Sequence, residues 1–195
     1  MLGKMIPLTL LAAALTAIGC HVQQHGSNDN RDVKIETPVG DMKVRINNAV
    51  VVSDIGLPVY PGSTIVRKDK DVGAADVDLS FRGFHIRAKG ATYRTADSPD
   101  NVKAYYRKEL AQYGAVIECR GKLAVGAPSK TSQGLGCDDN EFNVSDTTKH
   151  PDVELRAGSK IHQHIVAIEK NSEGTTFGLA ALDLPNVENV GKGSN

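Results

Sequence analysis

Two histidines one residue apart, His162-Gln163-His164, are the side chains of this sequence best spaced to share a metal ion. On a β-strand alternate side chains share a face, so two such imidazoles lie about 6.6 to 7 Å apart along the backbone. A zinc centre needs three or four protein or water donors. The third would have to come from His85 or from an aspartate on a neighbouring strand. The competing reading is a half-exposed strand end with two ordinary histidines, and it is the one adopted: His162 and His164 remain metal candidates, with no metal, cofactor or catalytic residue assigned. Asp138-Asp139-Asn140-Glu141 sets four oxygen-bearing residues in a row. It lacks the alternating ligand positions and distant bidentate Glu of a calcium loop, and reads as a solvated turn. A nucleophile elbow G-x-S-x-G, a zinc helix H-E-x-x-H, a phosphate-cradling G-x-x-x-x-G-K-S/T and a dinucleotide fingerprint are all absent from the sequence.

The remaining reactive type is cysteine, at positions 20, 119 and 137, and the first stands at the end of an unusual segment. Lys4 gives the start of the chain a positive charge, and Ile6 to Ile18 then carries none. That run falls short of the roughly 20 residues a helix needs to cross the hydrocarbon layer. A basic flank, a short apolar stretch and small residues at its end describe a secretory signal, here residues 1–19. A buried core helix is the poorer reading, because the polar QQHGSNDN follows with no amphipathic pattern.

The end of that segment, Ala17-Ile18-Gly19-Cys20, resembles the lipobox of bacterial lipoproteins, in which three small or aliphatic residues precede an invariant cysteine. Ala17 stands where leucine is commonest in that family. The resemblance implies a diacylglyceryl thioether on Cys20, cleavage before it, and often acylation of the new amino group. One acyl chain gives marginal attachment and two or more a stable anchor, at about 0.8 kcal/mol per buried CH2. The resemblance also implies a cell-envelope location. Because His21, not Asp, follows the cysteine, it implies the outer membrane, facing the periplasm, in a cell with two membranes. It covers only the first 20 residues, and the family of the domain behind them is not recognised.

With Cys20 assigned to lipidation, Cys119 and Cys137 are left as a pair in an exported, oxidising compartment, and a disulfide between them is expected. Closing a loop of that length contributes on the order of 3 kcal/mol in the chain-entropy model. The loop, rich in Gly and Ser, has little to bury. The spacing is not the C-x-x-C of a redox pair.

Lys plus Arg equals Asp plus Glu at 23 each, so no net field draws the chain to nucleic acid. Trp is absent and aromatics are few, which argues against a binding face of stacked rings and leaves the core to Val, Ile, Leu and Ala. Residues 20–31 read as a lipid-anchored flexible tether spanning about 18 Å, 32–185 as a single domain, and 186–195 as a polar tail.

Within that domain, strands alternate around a hairpin at Pro38-Val39-Gly40-Asp41. Tyr60-Pro61-Gly62 suggests a type II turn. From Asp76 to Lys89 the apolar phase flips at Arg82-Gly83, marking either a β-bulge or a tight turn into a new strand. One helix is expected over about 98–113, with Ser98 as cap, Pro99 at its first position and Gly114 at its end. Its apolar stripe holds three tyrosines, which suggests a core margin with solvated hydroxyls. Three strands follow Pro151, and the run Ile165 to Ile168, apolar on both faces, marks the middle one as central. The fold class expected is α+β, a mainly antiparallel sheet with the helix packed on one face. The function expected is a lipid-anchored, non-catalytic binding or assembly module whose partners are the membrane, through acyl chains on Cys20, and an unidentified envelope protein or ligand. The alternatives are a metal-dependent envelope enzyme using His162 and His164, and a secreted protein without lipid.

Overall fold

Alternation of charged and apolar residues along the first part of the chain builds strands that pair with their neighbours in sequence. The structure, a computed structural model, describes residues 20–27, 30–47, 53–66, 73–139 and 151–186. The expected signal peptide, the expected tail beyond Asn186, and Asn140-Glu141 lie outside these residues. The strands are β1 (His21–Ser27), β2 (Asn30–Thr37), β3 (Gly40–Asn47), β4 (Thr64–Ile65), β5 (Ala74–Phe81) and β6 (Phe84–Thr95). The helix α1 (Pro99–Leu110) follows, then β7 (Ile117–Arg120), β8 (Leu123–Ala124), β9 (Val153–Gly158), β10 (His162–Asn171) and β11 (Gly174–Asp183).

All of these strands belong to one antiparallel sheet, ordered β1-β2-β3-β5-β6-β11-β10-β9-β7-β8. The short β4 pairs with the end of β6 that lies beyond its pairing with β5. The described residues are therefore β-rich, with α1 as the helix described along its whole length. The segment expected to be a flexible tether is strand: β1 pairs with β2 from His21↔Glu36 to Ser27↔Asn30. Ladder hydrogen bonds come from the backbone, so a polar segment such as HVQQHGS pairs as readily as an apolar one when a partner lies alongside.

Turn chemistry sets the register. Gly62, at φ +74°, and a hydrogen bond from the Ser63 amide to the Tyr60 carbonyl (3.1 Å) make the expected turn at Tyr60–Ser63. At the phase flip, Phe81 pairs with Phe84 and both Arg82 (φ 44°) and Gly83 (φ 86°) take positive φ. The flip is therefore a two-residue hairpin of the I′ kind, and not a bulge.

α1 starts where Ser98 accepts a hydrogen bond from the Asn101 amide, and it ends in a 3-10 turn, Ala111–Tyr113, before Gly114 (φ 111°). Its buried face, Val102, Tyr106 and Leu110, packs on Leu155, Val166, Phe177 and Leu179 of the central strands. Burying a side chain of this size contributes about 1.5 to 3 kcal/mol, so this layer carries the main core. Tyr106 departs from the expected solvated margin. Its hydroxyl donates to the Pro58 carbonyl and accepts from the Tyr60 amide, both at 3.1 Å, because the Leu57–Ser63 segment crosses over the helix face.

On the opposite face, the disulfide Cys119–Cys137, with its Cα atoms 5.6 Å apart, straps the loop after β8 against β7 and β9. Leu135 of that loop is fully buried, and the Thr131 hydroxyl donates to the Gly158 carbonyl at 2.6 Å. The buried Arg156 guanidinium is held by Glu154 and by the Asp139 carbonyl (3.0 Å). A buried cation is tolerated only when paired and hydrogen-bonded in this way. Asp139 is the one residue of the acidic run with described contacts. Burial opposes its ionisation, but hydrogen bonds from the Gly136 amide and Lys160 hold its carboxyl below the usual range. That is the environment of a structural turn.

Candidate functional site

The metal candidates are on one face of β10, as the spacing requires, but each imidazole is already engaged. The ring of His164 stacks on Tyr113, with centroids 3.5 Å apart at 12°. The Tyr113 hydroxyl donates in turn to the Gly56 carbonyl at 2.6 Å. Gly56 sits at φ +77°, and a Cβ there would meet that hydroxyl, so glycine permits the approach. Burial pushes the His164 imidazole below its usual range, more than Asp183 and a backbone hydrogen bond to Ile55 raise it. His162 faces solvent, with Nδ1 2.8 Å from Asp183 Oδ1. His85, the third donor considered, lies two strands away from β10, because β11 runs between β6 and β10. Two inter-strand spacings amount to about 10 Å, and His85 pairs instead with Asp78 (2.8 Å). Among the described residues no group of three His, Cys, Asp or Glu is arranged to hold a metal ion.

His85, Arg87, His162 and Asp183 line one side of a cleft of about 400 Å³, closed by Leu184 and Pro185. Arg87 bonds Asp78 at 2.8 Å, so His85 and Arg87 share that one carboxylate, one on each oxygen, while His162 is paired with Asp183. The described lining holds no thiol or hydroxyl. Its chemistry is hydrogen bonding between imidazole, guanidinium and carboxylate groups.

The sequence did not reveal what this cleft terminates. The register aligns Lys43, Asp78, Arg87, Asp183 and His162 straight across the sheet. A parallel rung carries His25, Asp32, Arg45, Asp76 and Lys89. From β3 inward cations and anions adjoin along both rungs, and opposite charges directly across a strand pair are favourable; at the outer end of the first rung Lys34 stands across from Lys43 and pairs instead with Glu36. Arg45 reaches Asp76 at 2.7 Å, and Lys89 reaches the Asp54 carbonyl at 3.1 Å.

Strand alternation puts the opposite kind of surface on the other face of the same strands. Val22, Ile35, Met42, Leu79 and Ile86 form one straight row over five strands. Val33, Val44, Val77 and Ala88 form the next row. Val22 is 62% exposed, Met42 36%, Leu79 38% and Phe81 45%, so the surface is not closed over. Contiguous exposed apolar area of this kind marks an interaction surface. At the tip of the β5–β6 hairpin the Arg82 guanidinium lies 5.6 Å from the Phe81 ring centre.

Cys20 lies at the head of β1, beside the first residue of that row. It is exposed and unbridged, while the other two cysteines are joined. No described helix is long and apolar enough to cross a membrane. The chain matches no protein-family model, no curated protein and no solved structure.

Proposed function

We propose that this protein is a lipid-anchored lipoprotein of the cell envelope, and that its domain is a non-catalytic binding or assembly module. In fold class it is read as α+β, a mainly antiparallel sheet with α1 packed on one face. The observation that supports the anchor is the isolation of Cys20. It follows Ala17-Ile18-Gly19 and is exposed, while Cys119 and Cys137 satisfy each other. A thiol that contributes nothing to the fold is available for modification. Support for a binding role comes from the two unlike faces of the β1–β6 arm, one charged and one apolar, beside a cleft whose described lining holds no thiol or hydroxyl. By the same lipobox resemblance, with His21 after the cysteine, the protein sorts to the outer membrane and faces the periplasm of a two-membrane cell.

Growth of expressing cells with a clickable fatty acid tests the anchor. Label is expected on the wild-type chain and is expected to vanish in Cys20→Ser. Unchanged labelling in Cys20→Ser would remove the basis of the proposal, and absence of label from both chains would favour a secreted protein without lipid.

A further inference from the structure

We propose that the apolar face of the β1–β6 arm lies on the phospholipid surface in which Cys20 is anchored. This rests on the lipid-anchor reading above and adds an orientation to it. The first ground is distance. Cys20 immediately precedes β1, and Val22, the first member of the apolar row, is two residues on. Two extended residues reach about 7 Å. With acyl chains in the bilayer, the edge of the arm is held at the interface, and what is left to decide is which face turns down.

The second ground is the composition of the two faces. Among the described residues, the apolar face of β1, β2, β3 and β5 carries no carboxylate, and Arg31 is its one cation. The other face carries Asp32, Glu36, Asp41, Asp76 and Asp78 together with their cations. Asp76 is already buried against Arg45, but turning the charged face toward lipid would also desolvate Asp32, Glu36, Asp41 and Asp78, which is costly. Turning the apolar face down removes exposed Val, Met, Leu and Phe surface from water at no such cost. Arg82 beside Phe81 fits the same orientation, a ring entering the interface with a cation at headgroup level.

Sheet twist selects the probes. Adjacent strands rotate by about 20 to 25°, so Ile35, Met42 and Leu79 on three successive strands share a surface while the ends of the row curve away. The test uses the full, acylated chain in vesicles of phosphatidylethanolamine and phosphatidylglycerol. A single new cysteine at Met42→Cys, or independently at Leu79→Cys, is labelled with a polarity-sensitive fluorophore. Lys43→Cys, on the charged face, is the control. The disulfide and the thioether leave the new thiol as the reactive one. The expected result is blue-shifted emission at both apolar positions and quenching by nitroxide lipids at least about twofold stronger than at Lys43→Cys. Equal quenching on the two faces would overturn the proposal. So would a shielded label that nitroxide lipids do not quench, the outcome for a face covered by a second copy or another protein.

Intact mass of the same preparation separates this proposal from the anchor reading. If no acyl mass is found, the anchor reading fails. The same substitutions in a Cys20→Ser background, mixed with the vesicles, then judge the arm alone: face-selective quenching upholds it and its absence overturns it.

Discussion

Single residues in this protein are tuned by what packs on them more than by their types. Burial holds the His164 imidazole toward its neutral form, stacked on Tyr113. In the unfolded chain the same ring titrates near the usual histidine value of about 6.5. Between the lowered folded value and the unfolded one, the unfolded state binds more protons, so stability rises with pH across that window. His164 therefore favours the native state fully above about pH 6.5, and its contribution falls as the pH drops below that. In His164→Phe the stack can persist without a titrating group. Thermal melts from pH 7.5 to 5 are expected to show a shallower loss of Tm in the variant than in the wild type. An identical slope would mean that His164 does not sense the solution. Asp139, held below the usual carboxylate range despite its burial, acts at more acid pH, where its protonation releases Gly136 and Lys160.

At the scale of elements, the loop after β8 depends on its crosslink. Few of its residues are buried, and the disulfide closes a separation of 18 residues. Replacing both cysteines with serine is expected to lower stability by about 3 kcal/mol in urea unfolding, the chain-entropy value for such a loop. A loss well under 1 kcal/mol would show that the Thr131 and Arg156 contacts suffice to order the loop. The elements readable from sequence were those with local chemistry. Ser98-Pro99 announced α1, Tyr60-Pro61-Gly62 its turn, and the run from Ile165 to Ile168 a strand with neighbours on both sides. What could not be read was non-local. Arg82-Gly83 permits a bulge or a hairpin, and only the pairing of Phe81 with Phe84 decides between them. His21–Ser27 has no apolar pattern of its own, and it becomes a strand because β2 lies beside it.

At the scale of the whole molecule, the described strands all belong to one sheet. Its central strands carry α1 and the main core, which Ala74 at the start of β5 joins, while Val22, Met42, Leu79 and Phe81 farther out on the arm stay exposed. The alternation from Val33 to Ile46 predicts one buried and one wet face, but the apolar face is only partly buried, with Met42 36% exposed. It could not show that the sides align over five strands, since alignment comes from registers set by turns far apart in the chain. Nor could it place His85 relative to His162, because that needed the position of β11 between β6 and β10. With Cys20 at the free edge of the arm, anchor and apolar face become neighbours, and the account of the molecule depends on what that thiol carries. Intact mass spectrometry of the protein extracted from membranes tests this most directly. The expected result is a chain beginning at Cys20 with the added mass of two or more acyl chains and an intact Cys119–Cys137 bridge. A membrane-extracted chain with residues 1–19 still attached, or with an unmodified Cys20, would contradict it.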